Sequence, residues 1–218
     1  LRTVSLPGGD AAVRHPWRMA LAHADDAGVT DEALTLLGVP ADQADTVLRQ
    51  VRSPGAATTT SSVGRLFDAV AALAGLVDVA TYEGHPAMLL EQCAEGSATR
   101  EYGFDLDVED GTIELDARPI VRAVVRDLLR GRPRGEVAGR FHRTMTAATF
   151  EMCRAIRGAT GLGRVCLSGG VFNNDLLTSD LVARLETAGF EVFLPREAPV
   201  GDGGIALGQV LVANAERG

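Results

Sequence analysis

The chain has 218 residues, 46% of them hydrophobic and 23% charged, enough for one ordinary domain or two small ones without a disulfide or zinc staple. No apolar run approaches the ~20 residues of a membrane helix, and all 21 basic residues are Arg, which excludes a P-loop lysine, a Schiff-base lysine and a Ser-Lys dyad. A net charge of −8 argues against a nucleic-acid partner, whose binding rests on clustered cations.

Cys93, Cys153 and Cys166 are far apart and form no C-x-x-C, which suggests reduced, buried cytoplasmic thiols rather than a disulfide framework or thiolate zinc site. The opening residues Leu1 to Pro7 carry neither an initiator Met nor a signal-peptide pattern, so a fragment or a trimmed numbering is expected.

From Pro16 to about Arg52, apolar clusters cut by Gly28, Gly38 and Pro40 predict three short helices. Ser53 to Ser62 has the composition of a loop. From Val63 to Leu76, Val63, Leu66, Phe67, Val70 and Leu73 recur at helical spacing, with Arg65 and Asp68 off the stripe, toward another surface. Tyr102, Phe104, Leu106 and Val108 alternate with polar residues, and after Glu109-Asp110-Gly111 the pattern resumes at Ile113 and Leu115, as in a β-hairpin. Two helices follow, one opened by Pro119 and ending near Leu129, the other carrying Val137, Phe141, Met145, Ala148, Met152 and Ile156 on one stripe.

Beyond these, Arg164 to Leu167 reads as a short buried strand, Ser168 to Asn173 as a glycine-containing turn, and Asn174 to Ala188 as a helix with Leu176, Leu177, Leu181, Val182 and Leu185 inward. Phe190 to Leu194 is the next strand, and a closing helix runs from Gly203 to about Ala215. Strand, helix, strand and helix in this order predict parallel strands with a ligand crevice at their carboxyl ends. The fold class is α/β, with a mainly helical region over 1–100 (its helix at 62–76) and an α/β lobe over 101–218. Within that lobe fall the hairpin at 102–115 and the βαβα unit at 164–215.

Ser168-Gly169-Gly170 stands between a strand and a helix, where bare amides can receive a phosphate, although most such turns are merely tight. Asn174 either caps the next helix or meets a ligand hydroxyl, and capping is the simpler role. Gly201-Asp202-Gly203-Gly204 repeats the arrangement one crossover later; a helix cap again explains Asp202 more simply than a metal ligand, since a catalytic metal normally has three protein ligands. His15, His23, His85 and His142 form no H-x-x-x-H, and G-x-S-x-G is absent, so a hydrolase triad has no motif support.

Taken together, Leu6-Pro7-Gly8-Gly9-Asp10 with Pro16-Trp17-Arg18-Met19-Ala20, Ser61 to Leu73, Tyr82-Glu83-Gly84, Phe141-His142-Arg143-Thr144, Ser168 to Asn174 and Gly201 to Gln209 resemble the hydrogenase-maturation carbamoyltransferase family over nearly the whole chain. The resemblance implies part of an actin-like, Hsp70-like (ribonuclease H-like) nucleotide-binding fold, within the C-terminal part of a larger multidomain protein. It implies that Asp68 bonds the adenosine ribose, that Gly84 lies against the nucleoside, and that Gly169, Gly170 and Asn174 line the phosphate and ribose side. Asp202 is then the acidic ligand of an iron or zinc ion, with histidine partners that this sequence does not contain.

The implied activity is carbamoyl transfer in the cytoplasm, from carbamoyl phosphate and ATP through carbamoyl adenylate to the C-terminal cysteine of a maturation partner, with neither a membrane nor a nucleic acid involved. The alternatives are an O-carbamoyl- or threonylcarbamoyl-transferase relative, or an inactive nucleotide-binding or partner-docking fragment.

Overall fold

The structure is a computed structural model that describes residues 1–53, 58–94, 100–195 and 197–216; residues 54–57 of the expected Ser53 to Ser62 loop lie outside the described residues. The chain divides into two compact units, Leu1–Ala148 and Thr149–Gly218. The hairpin expected with the C-terminal lobe falls in the first of them.

The first unit opens with β1 (Val4–Ser5) and the short helix α1 (Asp10–Arg14), followed by α2 (Trp17–Ala27), α3 (Thr30–Leu37) and α4 (Ala41–Arg52). The three helices expected between Pro16 and Arg52 are thus present. Their breaks coincide with the predicted residues, for Gly28 and Gly38 end α2 and α3 in the left-handed conformation, which costs glycine no Cβ clash. Leu21, Ala44, Val47 and Leu48 form one core cluster, closed by Trp17, Leu34, Leu37, Val39 and Val51.

β2 (Thr59–Thr60) pairs antiparallel with β1 and leads into α5 (Val63–Leu73), in which every residue from Leu66 to Leu73 is buried. The small residues Ala20, Ala22 and Ala24 of α2 and Ala69, Ala71 and Ala72 of α5 are buried where these two helices pack. Phe67 meets Phe141 edge to face at 4.9 Å, a favoured aromatic geometry.

After α6 (His85–Cys93), β3 (Asp105–Glu109) and β4 (Thr112–Asp116) form the expected hairpin. Its turn residues Asp110 and Gly111 both have positive φ, 48° and 78°, as a two-residue turn matched to strand twist requires. The hairpin begins later than the alternation predicts, because Tyr102 is drawn into the core. Its backbone N–H donates to Thr144 Oγ1 (2.8 Å) and its hydroxyl to Asp127 Oδ2 (3.1 Å). Asp127, on α7 (Arg118–Leu129), also pairs with Arg132 at 3.0 Å and Arg140 at 2.5 Å, and Arg140 lies over the Tyr102 ring.

α8 (Arg134–Thr160) begins in the first unit and runs into the second. The stripe expected along it holds through Val137, Phe141, Met145 and Ala148, all buried, but Ile156 is exposed.

The second unit contains β5 (Arg164–Cys166), a 3-10 turn (Gly170–Asn173), α9 (Asp175–Thr187), β6 (Glu191–Phe193), a second 3-10 turn (Asp202–Gly204) and α10 (Ile205–Ala215). β5 and β6 pair in parallel, Val165 opposite Val192, as the sequence predicts. Leu167, Leu181, Leu185 and Phe190 form the core of this unit, with Val165, Val182 and Val192 packed against it.

Three details depart from expectation. Leu176 is exposed rather than inward, since helical spacing from Leu177, Leu181 and Leu185 places it off their face. β5 is not a buried strand: Val165 is partly buried against the core while Arg164 and Cys166 are exposed, the alternation the pleat dictates for a sheet covered on one face. The cysteines are free, but Cys166 is exposed and the other two are half-buried. No described helix is long and apolar enough to cross a membrane.

Candidate functional site

Asp68 is the first of the expected site residues, and the structure corrects its placement. It does not face solvent but is fully buried, because α5 is enclosed by neighbours on nearly every side: α2, α3, α6 and α7 all pack on it. Its Oδ2 pairs with Arg65 Nη1 at 2.8 Å, one turn earlier on the same helix. Both carboxylate oxygens lack a hydrogen bond of good geometry, so capacity to accept hydroxyl donors remains.

Burial pushes the Asp68 carboxyl up to about 6; the Arg65 charge opposes this, and the Glu83 charge adds to it. A buried carboxyl shifted in this way beside a specific charge partner marks a candidate functional site.

Gly84 is at the N-cap of α6 with φ 80°, a conformation in which a Cβ is strained. Nothing lies within 4 Å of where that Cβ would be, so the glycine serves the backbone turn while leaving open space beside it. Glu83, its neighbour, acts electrostatically on Asp68, so the start of α6 and the Asp68 carboxylate belong to one electrostatic environment. Beside them the Tyr82 and His85 rings are 4.8 Å apart.

In the second unit the two glycine-containing turns are brought together. Gly169 N–H donates to Val200 O at 2.7 Å, the Ser168 hydroxyl donates to the same carbonyl at 3.4 Å, and a Cβ on Gly201 would stand 3.5 Å from Gly170 Cα. Gly169 has φ 110°, and a Cβ on Gly204 would be 2.6 Å from Pro199 O. These glycines therefore set a close backbone approach at the carboxyl ends of two adjacent parallel strands, the position where open α/β sheets bind ligands.

Asn174 caps α9: its Oδ1 accepts from Leu177 N–H at 2.8 Å. The simpler of its two predicted roles is thus real, and it holds the side chain at the edge of the same turn. Asp202 is exposed, and the N-cap positions beside it are glycines, Gly201 and Gly204, so the capping role predicted for it is not the one observed.

Asp68 and Gly84 lie in the first unit; Gly169, Gly170, Asn174 and Asp202 lie in the second. Among the described residues no group of three or more His, Cys, Asp or Glu could hold a metal ion. A lone carboxylate does not fit a catalytic metal. Of the histidines, His23 and His142 are buried rather than surface residues, and His142 stands edge-on to Phe67. Sequence reasoning missed Arg65 as the partner of Asp68; their three-residue spacing on one helix was the available signal.

The family described as carbamoyltransferase, Kae1-like domain, second subdomain, matches residues 1–209. The carbamoyltransferase HypF of Rhizobium leguminosarum bv. viciae is 40% identical over 96% of the chain, and HypF2 of Cupriavidus necator is 36% identical over 98%. A crystal structure of full-length HypF in the phosphate- and nucleotide-bound form superposes with a TM-score of 0.92 at 33% identity, covering 99% of the chain. The chain spans only 27%, 29% and 28% of these proteins, respectively. Its match along residues 1–209 places the chain in the Kae1-like carbamoyltransferase family, as the second subdomain of that domain.

Proposed function

We propose that the chain supplies nucleotide-holding groups for carbamoyl transfer in nickel-iron hydrogenase maturation, as one part of a longer cytoplasmic protein with an actin-like nucleotide-binding fold. The observation that carries this reading is the pair of glycine turns locked side by side through Gly169 N–H and Val200 O, in a chain whose relative has been crystallised with phosphate and nucleotide bound. Gly169 and Gly170 line the phosphate side of ATP or carbamoyl adenylate, Asn174 borders it, Asp68 accepts hydrogen bonds from the ribose hydroxyls, and Gly84 leaves room for the nucleoside.

The reaction starts from carbamoyl phosphate and ATP and passes through carbamoyl adenylate, with phosphate released from the first and pyrophosphate from the second. The C-terminal cysteine thiolate of a maturation partner attacks the carbamoyl carbon; a C–S bond forms, the C–O bond to the phosphate breaks, and AMP leaves. Backbone amides at the glycine turn favour the charge developing on the leaving phosphate. No nucleophile from this chain is required, which is consistent with the absence of Lys. Asp202 would offer a single carboxylate to an iron or zinc ion, and since no group of three or more ligating side chains occurs among the described residues, no metal-dependent step is assigned to this chain.

The test is ATP consumption dependent on carbamoyl phosphate, measured on a longer protein that contains this segment, with Asp68→Asn and Gly170→Val as variants. Loss of at least tenfold in both is expected. Activity unchanged in both would overturn the reading.

A further inference from the structure

We propose that Arg65 is a positioning residue for the nucleotide site, its guanidinium keeping the buried Asp68 carboxylate ionised and aimed. The inference rests on the reading of Asp68 as the acceptor of a nucleoside's vicinal hydroxyls. A diol offers two O–H donors, and only an ionised carboxylate can accept both without surrendering an acceptor to its own proton. Asp68 occupies a place where ionisation is disfavoured, fully buried in the middle of α5, because removing a carboxylate from water penalises its charged form.

The counter-charge is local. Arg65 Nη1 stands 2.8 Å from Asp68 Oδ2, with the Arg65 side chain 13% exposed and that of Asp68 1%. Arg suits this position better than Lys, being always charged and more weakly hydrated when partly buried.

Other groups packed around α5 do not replace Arg65. Among the described residues the charges acting on Asp68 are Arg65 and Glu83. α2 and α8 contribute the buried imidazoles His23 and His142, both driven toward the neutral form by burial. Glu91 of α6 acts on His142, and Asp31 and Glu32 of α3 are exposed. On α7, Arg118 is engaged with Asp116, Arg122 with Ala27 O, and Asp127 with Arg132 and Arg140. Arg65 is therefore the cation on which the charge state of Asp68 depends, and Glu83, next to Gly84, ties that charge state to the start of α6.

The experiment follows the Asp68 carboxyl carbon by NMR through a pH titration of the 218-residue chain and of Arg65→Gln, Arg65→Lys and Glu83→Gln, with ATP affinity measured by calorimetry over the same range. Arg65→Gln is expected to raise the Asp68 midpoint by about one pH unit or more, Arg65→Lys to restore most of the difference, and Glu83→Gln to lower the midpoint. ATP affinity should fall about tenfold per pH unit below each midpoint, so its pH profile moves with the variant. If Asp68 titrates alike in the parent, Arg65→Gln and Glu83→Gln chains, the inference is overturned; Glu83→Gln and Arg65→Lys preserve the test should Arg65→Gln fail to fold. A moving midpoint with ATP affinity indifferent to pH would leave the charge pairing intact and sink the nucleotide role of Asp68.

Discussion

At the scale of single residues, two buried titratable groups pull stability in opposite directions with pH. Burial lowers the His23 imidazole to about 4, and its Nε2 has no hydrogen-bond partner. Its folded-state value lies below that of the unfolded chain, so its contribution is full above about pH 6.5 and is lost as pH falls through 4. Asp68 behaves conversely: its value is raised to about 6, so its contribution is present under acid conditions and lost as pH rises through 6. Between pH 7 and 4.5, His23→Leu should lose less stability to acid than the parent chain by roughly 2 kcal/mol, measured by urea unfolding at both values. Asp68→Asn should be more stable than the parent at pH 7.5 by about 2 kcal/mol while binding ATP at least tenfold more weakly. Stability gained together with function lost is the signature of a residue retained for function. An Asp68→Asn chain less stable than the parent would show that the carboxylate is structural. The Tyr102–Asp127–Arg140 cluster is the structural contrast. Asp127→Ala removes the partner of Arg140 and of the buried Tyr102 hydroxyl, while Arg132 keeps Glu136, and should cost about 3 kcal/mol in the same unfolding experiment, with ATP affinity unaffected.

Among the elements, α9 and α10 differ most. Both are apolar in sequence, but α9 buries Leu177, Leu181 and Leu185, whereas α10 has no buried residue, and Ile205, Leu207, Val210 and Leu211 are all at least half exposed. Leu181→Ala should therefore cost about 3 kcal/mol and Leu211→Ala less than about 0.5 kcal/mol, compared by thermal unfolding of the chain. Equal costs would mean that α10 is packed. The contrast also marks what the sequence made legible. Helix breaks at Gly28 and Gly38, the Asp110-Gly111 turn and the parallel pair β5 and β6 were readable because local sterics and strand–helix–strand order determine them. The burial of Asp68 and the withdrawal of Tyr102 from its strand were not, because each depends on a partner distant in sequence or on how completely neighbouring helices enclose α5. At the site, the glycine turns were legible from their place between strand and helix. Their approach through Gly169 and Val200, 31 residues apart by number, was not.

For the whole molecule, the two units should differ in opening. The first holds the most densely buried element, α5, and the second ends in a helix with no buried residue, so amide exchange should be slowest in Leu66–Leu73 and fastest in α10. Reversed protection would contradict the packing described. Calorimetric titration of the 218-residue chain with ATP, beside Asp68→Asn and Gly170→Val, tests most directly whether Asp68 and the Gly169–Gly170 turn hold a nucleotide. The account predicts saturable binding that each substitution weakens at least tenfold. Absence of binding to the parent chain, or equal binding by all three proteins, would contradict it.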